Sequence, residues 1–204
     1  NTPRTVSVSL TINPAGIPEL PGTYMLSLEY SFGETKGTVD YWLKGGKARS
    51  DEVMWIGEEE WRTVFIRDGQ YDWSWDRESN TADKWDVGGG DDPGAGYVGW
   101  FTDYYYGYMS EEAILDEMEA WCAASPEECA SVSIAGHETI AGENCTKFTW
   151  TYTDGSHWSE WISRDHGWLL KLEGYDASDQ LAWTEEITLI DLNPTIPDEV
   201  FDVH

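Results

Sequence analysis

The side chains in this sequence that could do chemistry are four histidines, three cysteines and a large excess of carboxylates. Catalytic or metal-binding use needs such groups at short, recurring spacings. His137, His157, His166 and His204 show none: no two stand at i, i+4 on a helical stretch, and none lies beside a cysteine pair. Each therefore reads as a solvated or hydrogen-bonded structural histidine. Cys122, Cys129 and Cys145 match no zinc-ligand pattern and are too few to build a fold from disulfides. One bridge with one buried thiol is the expectation; Cys122 and Cys129 are the nearest pair in sequence, and three free thiols remain an open alternative. The nucleophile turn G-x-S-x-G and the phosphate loop G-x-x-x-x-G-K-[ST] are absent, and Gly88-Gly89-Gly90 has no lysine after it. With 39 Asp and Glu, carboxylate pairs arise by chance and assign no glycosidase chemistry. Asp76, Glu78, Asn80, Asp83, Asp86, Asp91 and Asp92 crowd one stretch, but not in the order of an EF-hand loop. No catalytic residue, metal ligand or cofactor is assigned, and the chain reads as a non-enzyme.

The aromatic residues are the other unusual resource. Thirteen Trp, 11 Tyr and 5 Phe exceed what core filling requires, so they close a broad sheet, line a cavity or form an adhesive surface. The formal net charge of −27 repels polyanions, which excludes nucleic acid as a partner and disfavours docking onto anionic lipid through basic patches. It fits a solvated surface facing salt, which screens the self-repulsion. No run of 18 apolar residues and no signal-like segment is present, and a removed signal or lipid anchor is left open; the expected location is secreted or extracytoplasmic.

The elements that position these residues are mostly strands. Val6, Val8 and Leu10 alternate with Ser7 and Ser9, predicting a strand over Thr5 to Ile12. Tyr24, Leu26, Leu28, Tyr30 and Phe32 alternate with Met25, Ser27, Glu29 and Ser31, the pattern of a half-buried strand. Strands follow at Val39 to Leu43, Lys47 to Trp55 and Trp61 to Arg67. Asp68-Gly69 then predicts a two-residue hairpin into Gln70 to Trp75. The stretch from Asp86 to Tyr108 reads as a long aromatic loop, the first place to look for function. Ser110 caps a helix with Glu111 and Glu112 in its first turn, and Ser125-Pro126 ends it. A second meander covers Ser131 to Leu192. Turn signals recur without a compositional break, so residues 1–204 read as a single domain.

The last third of the chain carries Gly142-Glu143-Asn144-Cys145 before a strand, Trp161-Ile162 ending the next, Leu169-Leu170-Lys171 after a turn, and Asn193-Pro194-Thr195-Ile196-Pro197-Asp198-Glu199-Val200-Phe201 at the end. Over residues 130–201 this resembles the LolA-like superfamily of secreted lipoprotein carriers and sensors, including LppX-like half-barrels. The resemblance implies a mainly β (α+β) fold: a strongly curved antiparallel half-barrel covered by one main helix and an aromatic loop, holding an acyl chain or other hydrophobic group between sheet and cover.

The function expected is non-catalytic binding of a lipid or other hydrophobic ligand. Tyr24, Leu26, Leu28, Tyr41, Phe65, Tyr71, Trp73 and Trp75 are the candidate sheet lining, and Trp100, Phe101 and Tyr105 the candidate loop lining. The bland alternative is that these side chains merely pack the helix onto the sheet. A surface module that binds a lipoprotein or other surface protein through an aromatic patch, or a carbohydrate-active protein, are the competing readings.

Overall fold

The computed structural model describes residues 22–86, 106 and 109–202. Within them, antiparallel strands form one open sheet in the order β6-β5-β4-β3-β2-β1-β11-β10-β9-β8-β7. The strands are β1 (Thr23–Phe32), β2 (Thr35–Lys44), β3 (Lys47–Ile56), β4 (Glu59–Arg67), β5 (Tyr71–Asp76), β6 (Thr81–Asp86), β7 (Cys129–Ile140), β8 (Glu143–Tyr152), β9 (His157–Ser163), β10 (Leu169–Tyr175) and β11 (Leu181–Asp191). Consecutive strands pair within each half, and the pairing of β1 with β11 joins the halves. An open sheet with one long helix on one face is the half-barrel that the resemblance implies. Thr5 to Ile12 lies outside the described residues, as does most of the aromatic stretch.

The helix, α1 (Glu111–Ala124), begins where the sequence places it. Ser110 Oγ accepts a hydrogen bond from the Ala113 amide at 3.3 Å, and the two glutamates of the first turn meet the positive end of the dipole. Ile114, Met118 and Cys122 recur every four residues and pack on Val132, Phe148, Trp150, Ile162 and Leu172. Both ends are tied to the sheet. At the N-terminus, Glu111 receives Arg164 Nε at 2.6 Å and faces His137 Nε2 at 2.9 Å. At the C-terminus, Cys122 is bridged to Cys129 at the start of β7, while Cys145 is a free thiol, fully buried and pushed up to about 12 by that burial. Replacing both bridged cysteines with Ser is expected to lower unfolding stability by about 2.5 kcal/mol, the chain-entropy value for so short a loop. Urea midpoints of the two proteins measure it; equal midpoints would show that Glu111 and the apolar stripe hold the helix unaided.

Two local expectations need correction. β6 occupies residues assigned to no element, and Asp83 and Asp86 are strand residues within it. Asp76 accepts the Glu78 amide at 2.9 Å, which makes it a turn former, and no cluster of metal-ligating side chains occurs among the described residues. The β4–β5 hairpin is also wider than two residues. Arg67 pairs with Asp72, and Asp68 closes the loop by accepting the Gln70 and Tyr71 amides at 2.8 and 2.7 Å. A side chain that satisfies two backbone donors stabilises the longer turn.

The final segment is held from below. Lys44 Nζ donates to the Ile196 carbonyl and Arg49 Nη1 to the Val200 carbonyl, at 2.7 and 2.9 Å, with Ile196 and Phe201 buried. The terminal Ile-Pro-Asp motif is therefore a clasp on the sheet. No helix among the described residues is long and apolar enough to cross a membrane.

Candidate binding face

Strand register divides the sheet residues between an inner face, which carries α1, and an outer face. Tyr24, Leu26 and Leu28 pair with Leu43, Tyr41 and Val39 on the inner face, where Tyr24, Leu26, Leu28 and Tyr41 are buried in a packed core with Ala48 and Ile187. Phe65 shares that face, opposite Ser50 and Ser74. Tyr71, Trp73 and Trp75 do not: Ile66 pairs with Trp73 and Val64 with Trp75, so all three aromatics stand on the outer face. The expected common lining is thus split. Parity is the cause, because a loop of two or four residues equally sets Phe65 against an even-numbered position of β5, and those are Asp72, Ser74 and Asp76. Trp100, Phe101 and Tyr105 lie outside the described residues. Tyr106, from the same stretch, is tied by its amide to the Gly167 carbonyl at 3.0 Å and packs with the helix cluster.

The two faces use their aromatics differently. Lys36, Lys44, Lys47, Arg49, Arg62, Lys84, Lys147 and Lys171 all take outer-face positions; of the strand-borne cations among the described residues, Arg67 stands on the inner face. Outer aromatics are capped accordingly. Lys84 Nζ lies 3.3 Å from the Tyr71 centroid and 4.5 Å from that of Trp73, Arg77 lies over Trp75 at 5.1 Å, and Lys147 and Lys171 approach Trp161 at 4.4 and 5.0 Å. Trp73, Trp75, Val64 and Ile66 floor an open groove of about 410 Å³, rimmed by Arg49, Arg77 and Asp202. Both arginines share Asp51, at 2.5 and 3.8 Å, which leaves little net charge there.

Inner aromatics touch one another instead. One row of inner-face positions runs Ile56, Thr35, Phe32, Trp183, Gly174, Trp158, Trp150, Val132 across β3, β2, β1, β11, β10, β9, β8 and β7. Along it a chain of rings forms: Tyr30 to Phe32 at 6.2 Å, Phe32 stacked on Trp183 at 5.9 Å, Trp183 to Trp158 at 6.2 Å, Trp158 to Trp150 at 6.2 Å, and Trp150 to Trp121 of α1 at 5.3 Å. The ends are open, with Phe32 44% and Trp121 49% exposed, and Ile56, Trp61 and Leu181 extend the exposed apolar surface. At the centre, a Cβ on Gly174 would stand inside the Trp183 indole, so only glycine leaves the ladder unbroken.

The row beside the ladder carries the polar groups. It runs Tyr30, Glu185, Leu172, Glu160, Phe148. Glu160 is 3% exposed and accepts from the Trp150 indole; burial pushes its carboxyl up to about 7. Burial also raises the Glu185 carboxyl, which has no side-chain hydrogen bond or ion pair among the described residues. The Trp158 indole N–H finds no partner there either. These positions escaped sequence reasoning, which recognised strands but not which tryptophans share a face; an isolated glycine inside the strand pattern of β10 was the available signal.

The remaining polar clusters are positional. His166 Nδ1 and Ser163 Oγ both lie 2.8 Å from the same oxygen of Glu143, which pins the β9–β10 turn to β8 without placing serine and histidine in series.

No family model matches the chain, and no curated protein matches it. Solved structures do. A conserved protein from Thermus thermophilus is similar over 91% of this chain and 86% of that one, at TM-score 0.47 and 6% identity. The Pseudomonas aeruginosa MucA/MucB complex is similar over 89% of this chain and 56% of that one, at TM-score 0.45 and 13% identity. The chain spans a little over half the length of the MucB chains it matches. The Mycobacterium tuberculosis lipoprotein LppX is similar over 86% of this chain and 89% of that one, at TM-score 0.40 and 11% identity.

Proposed function

We propose that the protein is a non-catalytic, extracytoplasmic binding protein that shelters a lipid or other hydrophobic group against the inner face of its sheet. The carrying observation is the ring ladder from Tyr30 to Trp121: a continuous aromatic surface without cation caps among the described residues, open at both ends and partly roofed by α1. Aromatic surface of this kind binds apolar chains because each buried methylene contributes about 0.8 kcal/mol. The single disulfide supports an oxidising compartment.

The test is uptake. Purified protein is extracted with organic solvent for mass spectrometry, then titrated with a neutral environment-sensitive acyl probe while Trp emission is followed. Saturable uptake should weaken roughly tenfold with Trp183→Ala and stay unchanged with the outer-face Trp73→Ala. No extracted lipid and no uptake would sink this reading. Weakening by Trp73→Ala alone would move the site to the outer groove and favour a protein-interaction surface there.

A further inference from the structure

We propose that the inner-face ladder takes an apolar ligand whose polar end is a cation, an alkylamine or quaternary ammonium, and rejects carboxylate and phosphate heads. This rests on the binding role proposed above and adds the charge class of the ligand. The first support is the partition of charge across the sheet. Arg67 is the inner-face strand cation, and its guanidinium is already engaged by Asp72 at 2.7 and 2.9 Å. An anionic head entering the ladder would lose water and, among the described strand residues, meet no cation that is not already paired.

The second support is the pair of carboxyls in the adjacent row. Glu185 stands between Tyr30 and Leu172 with no side-chain partner among the described residues, although it is half-buried. Glu160, two strands along and so roughly 10 Å away, gives one oxygen to the Trp150 indole and has no partner for the other among the described residues. Burial has raised both carboxyls, and no cation pairs with either among the described residues. The third support is the rings. A cation is attracted to an aromatic face, and on the outer face lysine and arginine of the chain itself hold that place. On the inner face, rings and carboxyls lie side by side and the place is left to a ligand.

The experiment uses three probes of equal chain length, decyltrimethylammonium, decanol and decanoate, titrated into the full chain below their micelle concentrations. Trp emission is followed at about 0.5 M NaCl, where screening acts beyond ~4 Å. The ammonium should bind roughly tenfold tighter than the alcohol, with decanoate weakest. In the Glu160→Gln/Glu185→Gln variant the preference should vanish while decanol binding stays. That variant barely alters a net charge of −27, so attraction by the overall field would survive it. Equal binding of all three probes would overturn the head-group inference and leave the apolar reading standing. A cation preference unchanged in the double variant would overturn it too, and no uptake of any probe would overturn both.

Discussion

Replacing Glu160 by Gln should raise stability at about pH 8 by on the order of 3 kcal/mol and leave it nearly unchanged at about pH 4. Glu160 sits on β9 beside Trp150, and desolvation, opposed by the Trp150 indole N–H, moves its carboxyl from 4.5 to about 7. Between those two values the folded chain holds a proton that the unfolded chain has released. Stability from this group is therefore fully present below the unfolded value and is lost as pH rises through the folded one. Glutamine copies the protonated state at every pH and keeps the acceptor that Trp150 uses. Other carboxyls act with the opposite sign; Glu111 is held low by the hydrogen bond from His137 and by Arg164, and its contribution is lost as pH falls. Those groups are common to both proteins, so the difference between their urea midpoints at about pH 4, 6 and 8 isolates Glu160. A parallel decline in both proteins would show that the carboxyl is hydrated in the folded chain.

Much of the fold was legible because its signals are local. The alternation of Tyr24, Leu26 and Leu28 with polar neighbours is a property of one strand, and the Ser110 cap with its following glutamates is a property of one turn. The face on which an aromatic lands depends instead on the parity of every turn between it and the next strand. Trp73 and Trp158 look alike in sequence, yet Trp73 pairs across β5–β6 with Lys84, while Trp158 pairs with Trp150 and Gly174. The same pairing recurs elsewhere on the outer face: Trp55 opposes Lys36, Trp42 opposes Arg49, and Trp161 opposes Lys147 and Lys171. Apart from Trp75, which pairs with Val64 and Ala82 and is capped by Arg77, these capped tryptophans have a cation as cross-strand partner, a signal that appears only once register is known. The terminal motif that carried the family resemblance was readable as fold and silent about the ladder, because Ile196 and Phe201 clasp the sheet away from it.

Gly174→Val is expected to destabilise the protein by about 3 kcal/mol, against the direction that strand propensity alone would give. Valine favours the extended backbone that glycine weakens, so on an open strand position the exchange would stabilise. Here the new Cβ would occupy the volume of the Trp183 indole, which reaches from β11 over Gly174 of β10 toward Trp158 of β9. The indole must leave, and its stacking on Phe32 and its edge contact with Trp158 leave with it. A double-mutant cycle isolates that cause. In a Trp183→Ala background the gap is open, so adding Gly174→Val should cost far less than it does in the parent, giving a coupling of at least 1 kcal/mol by the usual size for touching residues, about 0.5–3. Additive effects would mean that something other than the indole requires glycine. Because the ladder is continuous only through this position, Gly174→Val should also abolish uptake of the neutral acyl probe. The corresponding close approach of Tyr30 to Gly37 lies at the end of the ladder and not in its middle, so Gly37→Ala should weaken folding and reduce uptake far less than Gly174→Val does.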